Sequence, residues 1–298
     1  MKTPPYLSKG DTVALVCTAR KFSLAEAQPA IQLLEQWGLK VKLGATIGLD
    51  NFQLGGSDQE RIADFQNQLD DPQVQAIWCA RGGYGTVRII DQLCFERFCQ
   101  APKWIIGFSD VTVLHSHINN LEVETLHAIM AFSVPNTAPQ SIASLKHVLF
   151  GQPTSYRIPT DAHNRIGSAT GELVGGNLSI LYSLAGSKSA IDTAGKILFI
   201  EDLDEYLYHI DRMMVNVDRN GWLKNLKGLV VGGMTDMKDN AIPFGWGAKE
   251  IIVEISKKYD FPICFEFPAG HVQENVALML GHQVRLNVEE TGVTLDFL

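Results

Sequence analysis

Cysteine is sparse and carries no framework spacing. The five residues, Cys17, Cys79, Cys94, Cys99 and Cys264, are odd in number and include no C-x-x-C pair. That pattern fits free thiols, several of them in buried apolar runs, in a reducing compartment rather than a disulfide scaffold. No zinc framework is visible, and H-E-x-x-H is absent. No apolar run reaches the roughly 18 residues of a membrane span. The opening stretch from Met1 to Asp11 has no apolar signal core. The expectation is a cytoplasmic protein with no membrane partner. Clusters of Lys and Arg are missing too, and 33 acidic residues against 25 basic ones give a net charge of −8. Nucleic acid, whose phosphates demand basic patches, is therefore not an expected partner. Neither G-x-G-x-x-G nor a Gly-Lys-Ser/Thr phosphate loop occurs, and the first turn after a strand, Cys17-Thr18-Ala19-Arg20, has no glycine. That argues against a Rossmann oxidoreductase.

What remains is an ordinary globular balance, 46% hydrophobic and 19% charged over 298 residues, enough for one large domain or two smaller ones. Short apolar runs alternate with helical patterns. Strands are expected at Thr12–Cys17, Val41–Leu43, Val74–Cys79 and Lys103–Phe108. Ser23 with Glu26, and Ser57 with Glu60, have capping-box spacing before helices, and a further helix is expected over Val87–Leu93. Alternation of this kind predicts parallel βαβ units in a doubly wound sheet, with ligands bound past the strand ends. Periodicity loosens over residues 151–167, where Gly151, Pro153, Pro159, Asp161 and Asn164 fall. A linker is expected there, between domains at 1–150 and 168–298. In the second half, strands are expected at Ser168–Leu173, Lys196–Ile200, Gly228–Gly232 and Ile263–Phe267, and helices at Tyr206–Val217 and Ala248–Tyr259. Gly175-Gly176-Asn177 reads as a glycine turn, and Gln283–Asn287 with Val293–Phe297 as a hairpin.

The chain is organised around Lys103-Trp104-Ile105-Ile106-Gly107-Phe108-Ser109-Asp110. A buried strand ends here, and Val111, Leu114 and Ile118 then recur at helical spacing. Ser109 thus sits where a strand breaks into a helix, a place that lifts a hydroxyl beside free backbone N–H groups. Ser is also a favoured N-cap, and the local pattern alone favours a cap. A nucleophile needs a base and an orienting acid elsewhere. Of eight histidines, His115 and His117 read as packing or surface, His209 as structural, and His127 as a satisfied core residue. His271 differs, since it follows a strand and Pro268-Ala269-Gly270. Glu201 directly follows the apolar strand at Lys196–Ile200, where a carboxylate needs a partner such as an imidazole N–H. Ser109, Glu201 and His271 thus come as Ser…Glu…His, each at a strand end. A fourth strand end, rich in glycine, is Ala80-Arg81-Gly82-Gly83-Tyr84-Gly85. Arg81 and Asn177, beside glycine turns, are candidate substrate contacts. Tyr84 is either a cover over the ligand or packing. Arg212 reads as a surface partner of Glu205 or Asp211, with a substrate carboxylate as the alternative.

These motifs, with Gly171-Glu172-Leu173-Val174-Gly175-Gly176-Asn177-Leu178, Phe199-Ile200-Glu201-Asp202 and Tyr208-His209-Ile210-Asp211-Arg212-Met213, resemble the LD-carboxypeptidase family of serine peptidases (peptidase S66), which includes the microcin C immunity proteins. The likeness covers nearly the whole chain. It implies an α/β fold with a flavodoxin-like N-terminal domain, close to class I glutamine amidotransferases, and a smaller C-terminal α/β domain. It places the nucleophile on Ser109, the acid on Glu201 and the base on His271. The oxyanion hole would use the N–H groups of Asp110 and of a glycine in Arg81-Gly82-Gly83, with Gly83 preferred. The implied reaction removes terminal D-alanine from a murein tetrapeptide through an acyl-enzyme, with no metal or organic cofactor, in a homodimer. Two rivals are a microcin C immunity-type hydrolase of sulfamoyl-adenylates, for which Trp222 or Trp246 would offer an adenine platform, and a non-catalytic muropeptide-binding protein.

Overall fold

Strands buried on both faces become continuous apolar runs, and those of the first half pair in parallel. The fold is described by a computed structural model of residues 1–298. In its first part β1 (Thr12–Val16), α1 (Leu24–Gln36), β2 (Lys40–Leu43), α2 (Asp58–Asp70), β3 (Val74–Cys79), α3 (Glu96–Gln100), β4 (Trp104–Gly107), α4 (Thr112–Asn119), β5 (Thr125–His127) and α5 (Pro139–Leu149) follow in order. The sheet order is β2-β1-β3-β4-β5, all parallel, which is the flavodoxin-like order. Alternate strand residues bury on opposite faces. Val13, Leu15, Trp78, Trp104 and Ile106 fill one core, and Ala14, Val16, Ile77, Cys79 and Ile105 the other. Both capping boxes form, with Ser23 N–H on Glu26 Oε2 at 2.8 Å and Ser57 N–H on Glu60 Oε2 at 2.7 Å. Each such cap is worth about 1 kcal/mol.

The second part holds β6 (Ser155–Ile158), β7 (Gly167–Asn177), α6 (Leu178–Ser183), β8 (Ile197–Leu203), α7 (Leu207–Arg219), β9 (Gly228–Thr235), α8 (Ala248–Ser256), β10 (Ile263–Cys264), β11 (Leu278–Leu280), β12 (Gln283–Glu289) and β13 (Gly292–Phe297). Its sheet runs β10-β9-β8-β7-β12-β13-β6, parallel from β7 to β10 and antiparallel beyond. The C-terminal hairpin forms as expected.

Several local expectations differ. The stretch 151–167 carries β6, which closes the second sheet on β13. β11, although late in the chain, pairs antiparallel with β5 and closes the first sheet. Two 3₁₀ turns, Thr86–Arg88 and Ile90–Gln92, replace the helix expected over Val87–Leu93. There the Thr86 N–H donates to the Asp110 carboxylate at 2.9 Å and Arg88 is held by Asp58 at 2.7 Å, so side chains claim the segment before a helix does. The glycine turn at Gly175-Gly176-Asn177 is instead the end of the longer strand β7.

That strand end fixes the two sheets against each other. A Cβ on Gly176 would lie 2.5 Å from Thr112 Oγ1, so α4 approaches β7 as closely as only glycine allows. Thr112 is buried, and its Oγ1 accepts the Asn177 N–H at 3.0 Å, so it cannot turn away without losing that bond. Gly176→Ala is therefore expected to cost roughly 2–4 kcal/mol, from overpacking plus strain at positive φ. Urea unfolding measures it, and a loss below about 0.5 kcal/mol, the level of a neutral surface change, would contradict the close approach.

Candidate active site

Ser109 stands one residue beyond Gly107-Phe108, at the end of β4, and its φ of +61° is left-handed. A non-glycine residue there carries strain of about 1–2 kcal/mol. Its hydroxyl caps nothing: the 3₁₀ turn Ser109–Val111 begins after Phe108, α4 after Val111, and neither has a side-chain cap. The N-cap alternative is thus removed. The turn instead presents Ser109 to a cleft of about 570 Å³.

Glu201 and Asp202 are adjacent on β8 and face opposite sides. Both are buried. The β8–β9 register shifts between Ile200 and Asp202, which leaves an extra residue on β9 at Gly232-Gly233. This bulge accepts the turn Pro268–His271, with the Gly233 N–H donating to Ala269 O at 3.0 Å. Glu201 Oε2 then receives two bonds from His271, from Nδ1–H at 2.7 Å and from the backbone N–H at 3.1 Å. Nδ1 is the donor because Glu201 can only accept, so Nε2 is left free on the other edge of the ring. Gly270 permits the arrangement: a Cβ there would fall 2.6 Å from the Glu201 side chain. The imidazole also packs against Phe108, ring centroids 4.8 Å apart. Burial alone would depress the His271 pKa, but the hydrogen bond and charge of Glu201, with the charge of Asp202 behind, raise it above the ordinary histidine value. His271 lines the same cleft as Ser109, and no hydrogen bond joins them in the free protein.

Asp202 faces the other way. Its carboxylate accepts from Asn177 Nδ2 at 3.0 Å and from the N–H groups of Ser179 at 2.8 Å and Leu203 at 2.9 Å. Burial, then the neighbouring Glu201, push it up to about 7 against those bonds.

The glycine loop after β3 forms the opposite wall. Gly82 lies flush on the nucleophile, where a Cβ would stand 3.4 Å from Ser109 Oγ. Neither the Gly83 nor the Asp110 N–H donates to another group of the protein. The loop is held by Arg61, fully buried, whose guanidinium donates to Thr18 O and Gly85 O and pairs with Asp58. The Asp110 side chain is buried beneath and accepts the Thr86 N–H, and burial raises its pKa.

The remaining candidates divide. Arg81 lines the cleft, its guanidinium 4.0 Å over the Phe132 ring and 3.6 Å from Glu26. Asn177 lines it too, but its amide is used as the N-cap of α6 and as a donor to Asp202. Tyr84 is half exposed and not among the lining residues. Arg212 pairs with neither Glu205 nor Asp211; it lies over the Tyr208 ring at 5.5 Å. His127 is buried as expected but not satisfied, since both ring nitrogens lack partners, and burial holds its pKa well below the ordinary value. Arg20, Ser179, Asp204 and Glu205, which no sequence motif marks as site residues, also line the cleft wall. Arg20 ends the turn after β1, and the strand-end rule itself points to it.

Residues 13–128 match the LD-carboxypeptidase N-terminal domain, and residues 170–286 the LD-carboxypeptidase C-terminal domain. The chain belongs to the LD-carboxypeptidase family. The family resemblance carried by the motifs holds, and with it the reading of a carboxypeptidase-type hydrolase. A probable murein peptide carboxypeptidase of Bacillus subtilis (strain 168) is 33% identical, over 98% of this chain and 94% of the relative. A solved muramoyltetrapeptide carboxypeptidase from Oxalobacter formigenes superposes with a TM-score of 0.88 at 25% identity, over 96% of this chain and 98% of the other. The microcin C7 self immunity protein MccF in complex with aspartyl sulfamoyl adenosine gives a TM-score of 0.86 at 19% identity, over 98% of both chains. That last likeness speaks for the fold.

Proposed function

We propose that this LD-carboxypeptidase-family protein releases the terminal D-alanine of murein tetrapeptides, with Ser109 as nucleophile, His271 as base and Glu201 as its orienting acid. The observation that carries the proposal is the buried Glu201–His271 pair at 2.7 Å, facing a cleft that a strained, uncapped Ser109 also lines. Substrate in the cleft completes the contact between Ser109 Oγ and His271 Nε2. His271 takes the hydroxyl proton as Oγ attacks the carbonyl of the L-centre, and Glu201 stabilises the imidazolium. The unspent N–H groups of Gly83 and Asp110 receive the oxyanion, each such donor being worth about 10²–10³ in rate. His271 returns the proton to the departing D-alanine amine, and water then cleaves the ester. The reading includes a cytoplasmic location, which the cysteine usage suggests, and a homodimer, as the family resemblance implies.

The cleft supports a peptide over a nucleotide. Trp222 packs into the second core, Trp246 lies beside Phe244, and neither lines the cleft. Of the two aromatic rings that do line it, Phe132 is covered by Arg81 and Phe108 packs against His271. Side-by-side digestion of a murein tetrapeptide and an aminoacyl sulfamoyl-adenosine, followed by chromatography, tests the choice. Free D-alanine from the first is expected. Turnover of the second alone would overturn the assignment.

A further inference from the structure

We propose that Arg20 anchors the free α-carboxylate of the substrate's last residue and so restricts this site to chain ends. The inference rests on the cleft being a peptidase site. Other charged side chains there already have partners. Asp204 pairs with Lys238 at 2.6 Å, Glu205 with His209, and His271 with Glu201. Asp202 accepts three hydrogen bonds, and Arg81 is shared between Phe132 and Glu26. Arg20 alone lines the cleft with no ion pair and no side-chain hydrogen bond, and it is exposed. A cation without a partner, among charged side chains that each have one, calls for an anion from the ligand, and a guanidinium fork fits a carboxylate.

The position matches the chemistry. Arg20 follows β1 and Gly82 follows β3, on either side of the point where the strand order reverses. The Arg20 N–H donates to Gly82 O at 3.3 Å, which ties the two turns together. The Arg20 stem crosses Gly83, where a Cβ would meet its Nε at 2.5 Å and its Cδ at 2.6 Å. Gly82 in turn abuts Ser109. Nucleophile, glycine N–H and guanidinium thus follow one another along one wall. In a peptide cleaved before its last residue, the carboxylate carbon is three bonds from the scissile carbonyl carbon. With the carbonyl oxygen at Gly83, that carboxylate falls on the Arg20 side.

Calorimetry with Ser109→Ala protein tests this, using a murein tetrapeptide and its C-terminal carboxamide, each with and without Arg20→Gln. The acid is expected to bind roughly 10–100-fold more tightly than the amide, the range of one charge-assisted hydrogen bond. Arg20→Gln takes the ratio to about one, and Arg20→Lys restores part of it. A ratio of one in the parent, or a ratio that survives Arg20→Gln, overturns the anchor. Parallel turnover by the wild type separates the two proposals. Preferential binding of the acid without cleavage keeps the anchor and sinks the peptidase reading. Cleavage of acid and amide alike keeps the peptidase and sinks the anchor. Binding of neither peptide overturns both.

Discussion

Ser109→Gly is expected to abolish turnover and yet give a protein more stable than Ser109→Ala. Both remove the hydroxyl, and loss of a triad nucleophile lowers kcat by roughly 10⁴–10⁶. They differ in backbone. Ser109 is held at φ +61°, where a Cβ costs about 1–2 kcal/mol, and alanine inherits that cost. Glycine relieves it and gives back about 0.4–1 kcal/mol through the greater freedom of the unfolded chain. The net gap is about 1 kcal/mol in favour of glycine, read from urea unfolding of the two inactive proteins. Strain retained at a hydroxyl that caps no helix is what a functional site would keep. Equal stability of the two variants would remove strain from the account, and substantial turnover by either would remove the nucleophile.

Glu201→Gln isolates the charge of the acid from its geometry. The amide oxygen can take the place of Oε2 and accept both N–H groups of His271, while the NH₂ replaces Oε1, which has no partner now. The imidazole therefore keeps its tautomer and loses the carboxylate behind it. Turnover is expected to fall about 10²–10⁴-fold, the span of general acid–base assistance. The pH profile supplies the sharper sign. His271 acts as a base only when neutral, so activity rises with pH through its pKa. In the wild type that pKa is raised, because the bond and charge of Glu201 outweigh burial. Without the charge of Glu201, that of Asp202 alone opposes burial, and the acidic limb of kcat/KM moves to lower pH. An acidic limb that stays in place, or moves up, would show that Glu201 does not set the proton affinity of His271.

Ser109, Glu201 and His271 are legible as candidates because each follows an apolar run, and apolar runs in parallel sheets end where ligands bind. The capping boxes at Ser23 and Ser57 were legible because both partners lie within one turn. Pairings that span the chain left no such trace. β11 joins β5 across the fold, and β6 reaches β13 from a segment whose glycines and prolines suggested only a linker. Val87–Leu93 had helical composition, but contacts with Asp58 and Asp110 decide its backbone. Asn177 lines the cleft, but its amide caps α6 and steadies Asp202. Nothing local marks Arg20, whose turn has no glycine. Its meaning lies in having no partner, which only the arrangement of the surrounding charges reveals.

The most direct test is mass spectrometry of a murein tetrapeptide incubated with the wild type and, in parallel, with Ser109→Ala. A tripeptide plus free D-alanine from the wild type alone is the predicted result, establishing reaction and nucleophile together. Cleavage by both proteins, or by neither, would contradict it.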